Sequence, residues 1–265
     1  MGLAVLSLAR MEIFFRISGF ALIACFCQSC AVSPPPEKLA ASHATRQIVA
    51  QRVSAVVVTD RRDLSRWVNR NFVTSQAPED ADGGSAAPIT SDGYFLTADH
   101  VLSRMAGRNV FLIYGQGGRL APAKARVVWR SESSDLALLH IPVKTPFYYR
   151  WTPPERWLPM GTSLIHGGIS TGFKSGSGKL STALAPEGAF TGTRKFKMDL
   201  PLQPGDSGGP VVDAHGGLVG INSAVEFLVP METAFFVDSE GNRPNVRKID
   251  AIIQSDRTRR GNGNY

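Results

Sequence analysis

Short apolar segments recur along the chain between residues 54 and 222, and turn signals separate them. They are Ser54–Thr59, Tyr94–Thr97, Val110–Tyr114, Ala125–Trp129, Leu136–Ile141, Ser163–His166, Lys179–Thr182, Val211–Val212 and Leu218–Asn222. Turn residues stand between them at Ser91-Asp92-Gly93, Gly115–Gly118 and Ala214–Gly217. Segments this short, spaced by glycine-rich turns, make strands of a sandwich or barrel and leave little room for helices. We therefore expect an all-β fold. Pro142–Trp157, rich in proline and aromatics, reads as a crossover between two β halves. These are barrel one over about 49–142 and barrel two over about 158–240. Residues 78–85, PEDADGGS, read as a loop, and 61–73 as a helical turn or two through Leu64, Trp67, Val68 and Phe72. Pro244 precedes Val246, Ile249, Ile252 and Ile253 on one helical face, which predicts a short C-terminal helix with proline at its first position. A polar tail is expected over 256–265.

The three cysteines, Cys25, Cys27 and Cys30, stand within six residues of one another, and none follows. The body of the chain therefore has no disulfide, thiolate nucleophile or zinc-thiolate site. Residues 17–27 form an apolar run preceded by Arg10 and Arg16. It is too short to span a bilayer, which takes about 20 residues, and has the length of a signal-peptide core. Cys30 and the polar, triproline-containing stretch behind it are similar to a bacterial lipoprotein signal. That likeness implies an export signal over 1–29, lipidation at Cys30 and a flexible tether over 30–48. Cleavage after Ala31, or a boundary at Cys25, stays open, as does a true start at Met11. Without Arg10, Arg16 and Glu12 the net charge of +7 falls to +6. The basic residues are scattered and no nucleic-acid motif accompanies them, so we expect a solvated basic surface suited to a membrane face, and no nucleic-acid partner.

The most specific motif is Gly205-Asp206-Ser207-Gly208-Gly209-Pro210. A serine hydroxyl attacks a carbonyl only when a base takes its proton, and the resulting oxyanion needs N–H donors. Flanking glycines let the backbone curl so that amides converge. Among five histidines, His100 follows an apolar strand in Tyr94-Phe-Leu-Thr-Ala-Asp-His100, which delivers the imidazole from a rigid element. His43 lies in the tether and His215 in a turn, while His140 and His166 read as packed structural residues. Asp135 opens the Leu136–Leu139 strand and is the natural carboxylate to orient the base. Asp99 adjoins His100, but neighbours on an extended chain point apart. Asp80 and Asp82 lack calcium-ligand spacing, so no metal or cofactor is expected.

Gly93-x-x-Leu-Thr-Ala-x-His-Val101, Ser134-Asp-Leu-Ala-Leu-Leu139 and Pro204-Gly-Asp-Ser-Gly-Gly-Pro210 resemble the chymotrypsin/trypsin-like serine proteases in residue type and in His, Asp, Ser order. Ser91–Thr97, Asp135–Leu139 and Gly217-Leu-Val-Gly-Ile-Asn-Ser223 narrow the likeness to the protease domain of the bacterial Deg enzymes, over about 49–255. The resemblance implies two packed six-stranded β-barrels with a cleft between them. It implies a triad of His100, Asp135 and Ser207, an oxyanion hole at the amides of Gly205 and Ser207, and a peptide substrate. It places the primary pocket at Met198–Gln203, Pro201 included, and at Asn222, Ser223 and Ala224. Pro201 supplies no acid, so a small or medium apolar residue is the expected preference. Deg enzymes usually have asparagine where this chain has Asp206, so Asp206 is expected to find its own partners. No PDZ-like domain is expected after the barrels. A catalytically silent peptide- or partner-binding relative, and an esterase, are the competing readings.

Overall fold

A computed structural model describes residues 43–52, 54–66, 68, 80–116, 119–171, 175–189, 192–227 and 237–261. The segments read as an export signal and as most of a tether, Cys30 included, and part of the 61–73 stretch lie outside the described residues. The elements in chain order are α1 (His43–Arg52), β1 (Ser54–Thr59), β2 (Asp82–Pro88), β3 (Tyr94–Thr97), β4 (Asn109–Gln116), β5 (Arg119–Lys124), β6 (Arg126–Ser131) and β7 (Leu136–His140). There follow β8 (Ser163–Gly167), β9 (Ser175–Lys179), β10 (Arg194–Met198), β11 (Pro210–Asp213), β12 (Leu218–Phe227), β13 (Val237–Arg243) and α2 (Val246–Gly261).

Two antiparallel sheets result. The first has the order β5-β4-β1-β2-β3-β7-β6 and the second β10-β13-β12-β11-β8-β9. The first holds seven strands where six were expected, and the reason lies at its edges. Only Ala125 separates β5, paired with β4, from β6, paired with β7. The Ala125 amide is itself bonded to Val110 O at 2.8 Å. One strand, bent at Ala125, thus joins both edges and closes a barrel, which removes the exposed sheet edges. The second sheet closes where Leu180 bridges Met198, with main-chain bonds from Ser181 to Lys197 and from Asp199 to Lys179.

The alternation of side chains assigns the cores. In β7, Ala137 and Leu139 point into the interior of barrel one, while Leu136 and Leu138 join a cluster drawn from both barrels. In β11, Val211 lies inside barrel two and Val212 in the shared cluster. Strands buried on both faces read as continuous apolar runs, which is why these were legible. The strands with other compositions were not: β5, β10 and β13 carry charged, glycine or proline residues, and β9 (SGSGK) lies ahead of the expected Lys179–Thr182.

Three regions differ from expectation. The end of the predicted loop, residues 82–85, belongs to strand β2, which runs over Asp82–Pro88; a Cβ on Gly83 would stand 2.9 Å from Val56 O, so this strand is glycine-rich to approach its neighbour closely. The end of the segment expected as a tether lies in helix α1, held by fully buried Val49 and by the Thr45 hydroxyl donating to Ala214 O at 2.9 Å. Helix α2 starts one residue beyond Asn245, whose side chain caps the Lys248 amide at 3.0 Å, so Pro244 precedes the cap. It runs on to Gly261, through the start of the expected polar tail, because Asp256, Arg257 and Arg260 bond into barrel one.

Candidate active site

Strand β3 carries the chain into a 3-10 turn over Asp99–Leu102. Val101 and Leu102 bury themselves in barrel one, which fixes the turn and turns His100 outward. The His100 side chain remains 49% exposed. Asp135 follows a second 3-10 turn, Glu132–Ser134, in the left-handed conformation with φ 45°. It is the one non-glycine residue at positive φ among the described residues. Such a conformation costs an L-residue about 1–2 kcal/mol and persists where the surroundings impose it. Here they do: both carboxylate oxygens lie 3.0 Å from His100 Nδ1, and Oδ1 also accepts the His100 amide at 3.0 Å.

The electrostatics follow the geometry. The hydrogen bond to Asp135 holds the His100 imidazole above its ordinary pKa of 6.5, against the opposing effect of burial. Burial draws the Asp135 carboxyl upward, but hydrogen bonds from His100 and Ser223 outweigh it and keep it below 3.8.

Ser207 sits on a loop between Gly205 at φ 100° and Gly208 at φ 86°. A Cβ on Gly208 would lie 2.1 Å from Ser85 O and 2.3 Å from Thr97 Oγ1, so only glycine fits. Strand β2 braces the loop from barrel one. The Ser85 amide donates to Ser207 O at 2.7 Å, and its hydroxyl donates to Gly205 O at 2.7 Å. From barrel two, Gly208 N donates to Asn222 O and Asn222 N to Gly209 O, each at 2.8 Å. Asp206 is fully buried and accepts the amides of Ser170 and Thr171 at 3.1 Å on Oδ1 and of Gln203 at 3.0 Å on Oδ2. It has the partners expected of it, and they are backbone donors. The amides of Asp206, Gly208 and Gly209 are all engaged by carbonyls. Those of Gly205 and Ser207 have no partner among the described residues.

Ser223 joins the two halves. Its hydroxyl donates to Asp135 Oδ2, and its carbonyl accepts the Ser207 hydroxyl at 3.1 Å. It was expected as a pocket wall, yet it is 5% exposed and engaged at both ends. Its placement comes from a bulge: β12 pairs Asn222 with Gly241 and Ala224 with Glu240, which leaves Ser223 as the extra residue. Bulges re-aim a side chain in this way, and no local pattern in the sequence announces this one. Among the described residues no hydrogen bond joins Ser207 Oγ to His100.

The other pocket residues are placed unequally. Pro201 is exposed, whereas Asn222 is fully buried with its Nδ2 donating to Asp206 O at 3.3 Å. Asn222 therefore supports the serine loop. His140 is packed, as expected, against Tyr94 at 4.6 Å between ring centroids. His166 is fully buried with neither ring nitrogen bonded, and burial pushes its pKa down although Asp206 pulls it up. Asp82 is paired with Arg104 and Arg108.

The chain is similar in sequence and in fold to known proteins. A family model described as "Trypsin-like peptidase domain" matches residues 84–221, a span holding His100, Asp135 and Ser207. A protein of Bartonella henselae named "Probable periplasmic serine endoprotease DegP-like" is 29% identical over 165 residues, covering 57% of this chain and 31% of its own length. One of the same name from Rhizobium meliloti is 28% identical over 146 residues, covering 54% and 28%. The chain thus spans about a third of the length of these curated relatives. The HtrA-type protease AlgW, solved with a decapeptide, superposes with a TM-score of 0.56 at 21% identity, over 80% of this chain and 68% of that one. Deg5 superposes with a TM-score of 0.53 at 16% identity, over 80% and 90%. These structures share the chymotrypsin-like double-barrel fold. By fold, by the span of the matched domain and by the residues within it, the chain belongs to the trypsin-like peptidase family.

Proposed function

We propose that the chain is an exported serine endopeptidase acting through Ser207, His100 and Asp135. The observation that carries this reading is the Asp135 carboxylate gripping both the ring and the amide of His100, while Ser223 ties it to the Ser207 loop. Asp135 accepts the Nδ1–H and so leaves Nε2 as the free base. On substrate binding the Ser207 hydroxyl leaves Ser223 O and gives its proton to His100 Nε2 as Oγ attacks a peptide carbonyl. The negative charge on that oxygen is met by the amides of Gly205 and Ser207; one such donor is worth roughly 100- to 1,000-fold in turnover. His100 passes its proton to the leaving amine, which leaves an acyl-enzyme, and water releases it by the same steps.

That AlgW was solved with a decapeptide supports a peptide as substrate here. The word "periplasmic" in the names of the DegP-like relatives supports export, together with the apolar run over 17–27. Lipidation at Cys30 rests on the sequence alone; mass spectrometry of the mature N-terminus tests it, and a free Val32 would refute it. One observation favours the silent relative instead: Ser207 Oγ is bonded to Ser223 O and not to His100. Digestion of a proteome-derived peptide library separates the two. The proposal expects cleavage by wild type and none by Ser207→Ala; equal products from both would overturn it.

A further inference from the structure

A charged pair beside His100 has no part in the chemistry described above. Asp99 is 5% exposed, and it immediately precedes the base. Arg130 on β6 grips it with two parallel bonds, Nε to Oδ1 at 2.7 Å and Nη2 to Oδ2 at 2.9 Å. The same Nη2 lies 3.4 Å from the Asp99 carbonyl oxygen. Arg130 stands five residues before Asp135, so one short segment sends two side chains back onto one dipeptide. Arg130 holds Asp99, and Asp135 holds His100 through ring and amide. A buried carboxylate is retained only where a partner compensates it, and a planar guanidinium does so in one fixed geometry.

We propose that Arg130 is a positioning residue that sets His100 through its two-pronged bond to Asp99, and that it masks the Asp99 charge from the imidazole. This rests on His100 being the base. The charged groups around the imidazole are Asp135 across from it and Asp99 on its own turn. Arg130 lies behind Asp99, with Glu132 acting on Arg130. Asp82 on the neighbouring strand β2 is occupied by Arg104 and Arg108. The Asp99 charge favours the protonated ring, and Arg130 limits that pull. Removing the guanidinium therefore moves the His100 titration up, and removing the carboxylate moves it down.

The test is NMR titration of the His100 ring in a Ser207→Ala background, with peptide turnover measured in the Ser207 enzyme. Three variants are compared: Arg130→Met, Arg130→Lys and Asp99→Asn. Expected midpoints fall in the order Arg130→Met, wild type, Asp99→Asn, each step roughly 0.3–1 unit for a partly screened charge. Arg130→Lys keeps the wild-type midpoint but lacks the fork. Turnover by Arg130→Met and Arg130→Lys falls roughly 10-fold with KM within about twofold, the pattern of a displaced catalytic group. Equal midpoints in all variants, a reversed order, or wild-type turnover in Arg130→Met would overturn the inference. Global unfolding of a variant would show as the loss of dispersed ring signals, and the Asp99→Asn and Arg130→Lys arms then decide. Should wild type cleave no better than Ser207→Ala, the proposed function fails while the titration order still judges Arg130.

Discussion

Replacing Asp206 by asparagine probes what holds the serine loop. The two side chains have the same shape, so the change is one of hydrogen-bonding sense. In the native loop Oδ1 accepts two amides, from Ser170 and Thr171, and Oδ2 accepts a third from Gln203. Asparagine keeps one acceptor oxygen. Turned to serve Ser170 and Thr171, it presents its NH2 to the Gln203 amide, donor against donor. The Gln203 amide, on an exposed residue, then loses its acceptor, a cost at the low end of about 1–3 kcal/mol, and the two remaining bonds lose their charge assistance. We take the total as about 3 kcal/mol, which for a domain of this size lowers Tm by roughly 6–12 °C. Because Asp206 lies between Gly205 and Ser207, the displaced loop also slows labelling of Ser207 by a fluorophosphonate roughly 10-fold. Urea unfolding followed by tryptophan fluorescence and the labelling rate are measured together. A variant within about 0.5 kcal/mol of wild type, the scale of a neutral surface change, and labelled at the wild-type rate would refute the assignment of Asp206 as the anchor of this loop.

Three further outcomes are expected. The His100 pKa lies above 6.5 and the base works only when neutral, so the acid limb of kcat/KM has its midpoint above 6.5, read from a pH–rate profile. Asp256, 2% exposed, takes Arg126 at 2.6 and 3.0 Å and the Tyr94 hydroxyl at 2.9 Å. Asp256→Ala destabilises the fold by about 2–3 kcal/mol in urea unfolding, less than a fully buried pair because Arg126 is nearly half exposed. Burial and the nearby Arg260 and Arg126 hold the His140 pKa below 6.5. The unfolded chain thus takes up that proton first, and stability is lost as pH falls through 6.5 toward the lowered native value. His140→Gln removes this contribution, so its urea midpoint declines less than that of wild type over the same range.

What was legible in the sequence was whatever a local pattern could carry. Strands such as Leu136–His140, apolar on both faces, announced themselves because they are sandwiched between two cores. His100, Asp135 and Ser207 stood out because each lies in a short, distinctive stretch, and the structure brings His100 and Asp135 into contact. The arrangements that depend on distant chain were not legible. The closure of barrel one by a strand bent at Ala125 joins edges that only the fold makes adjacent. Strand β2 was hidden by glycines whose purpose is to let Val56 O and the Ser207 loop approach. Ser223 was placed in a pocket because nothing in Asn222-Ser223-Ala224 discloses a bulge. Asp99 was set aside because neighbours point apart on an extended chain. It lies instead in a 3-10 turn, with Arg130 as a partner 31 positions away.

The central claim is that Ser207 is a nucleophile activated by His100 on its Asp135 support. A fluorophosphonate reacts covalently with such a serine, and peptide mass spectrometry identifies the residue that carries the label. Wild type is predicted to be labelled at Ser207, with labelling abolished in Ser207→Ala and reduced by orders of magnitude in His100→Ala. Labelling of wild type no faster than of Ser207→Ala, or label found on another residue, would contradict the account.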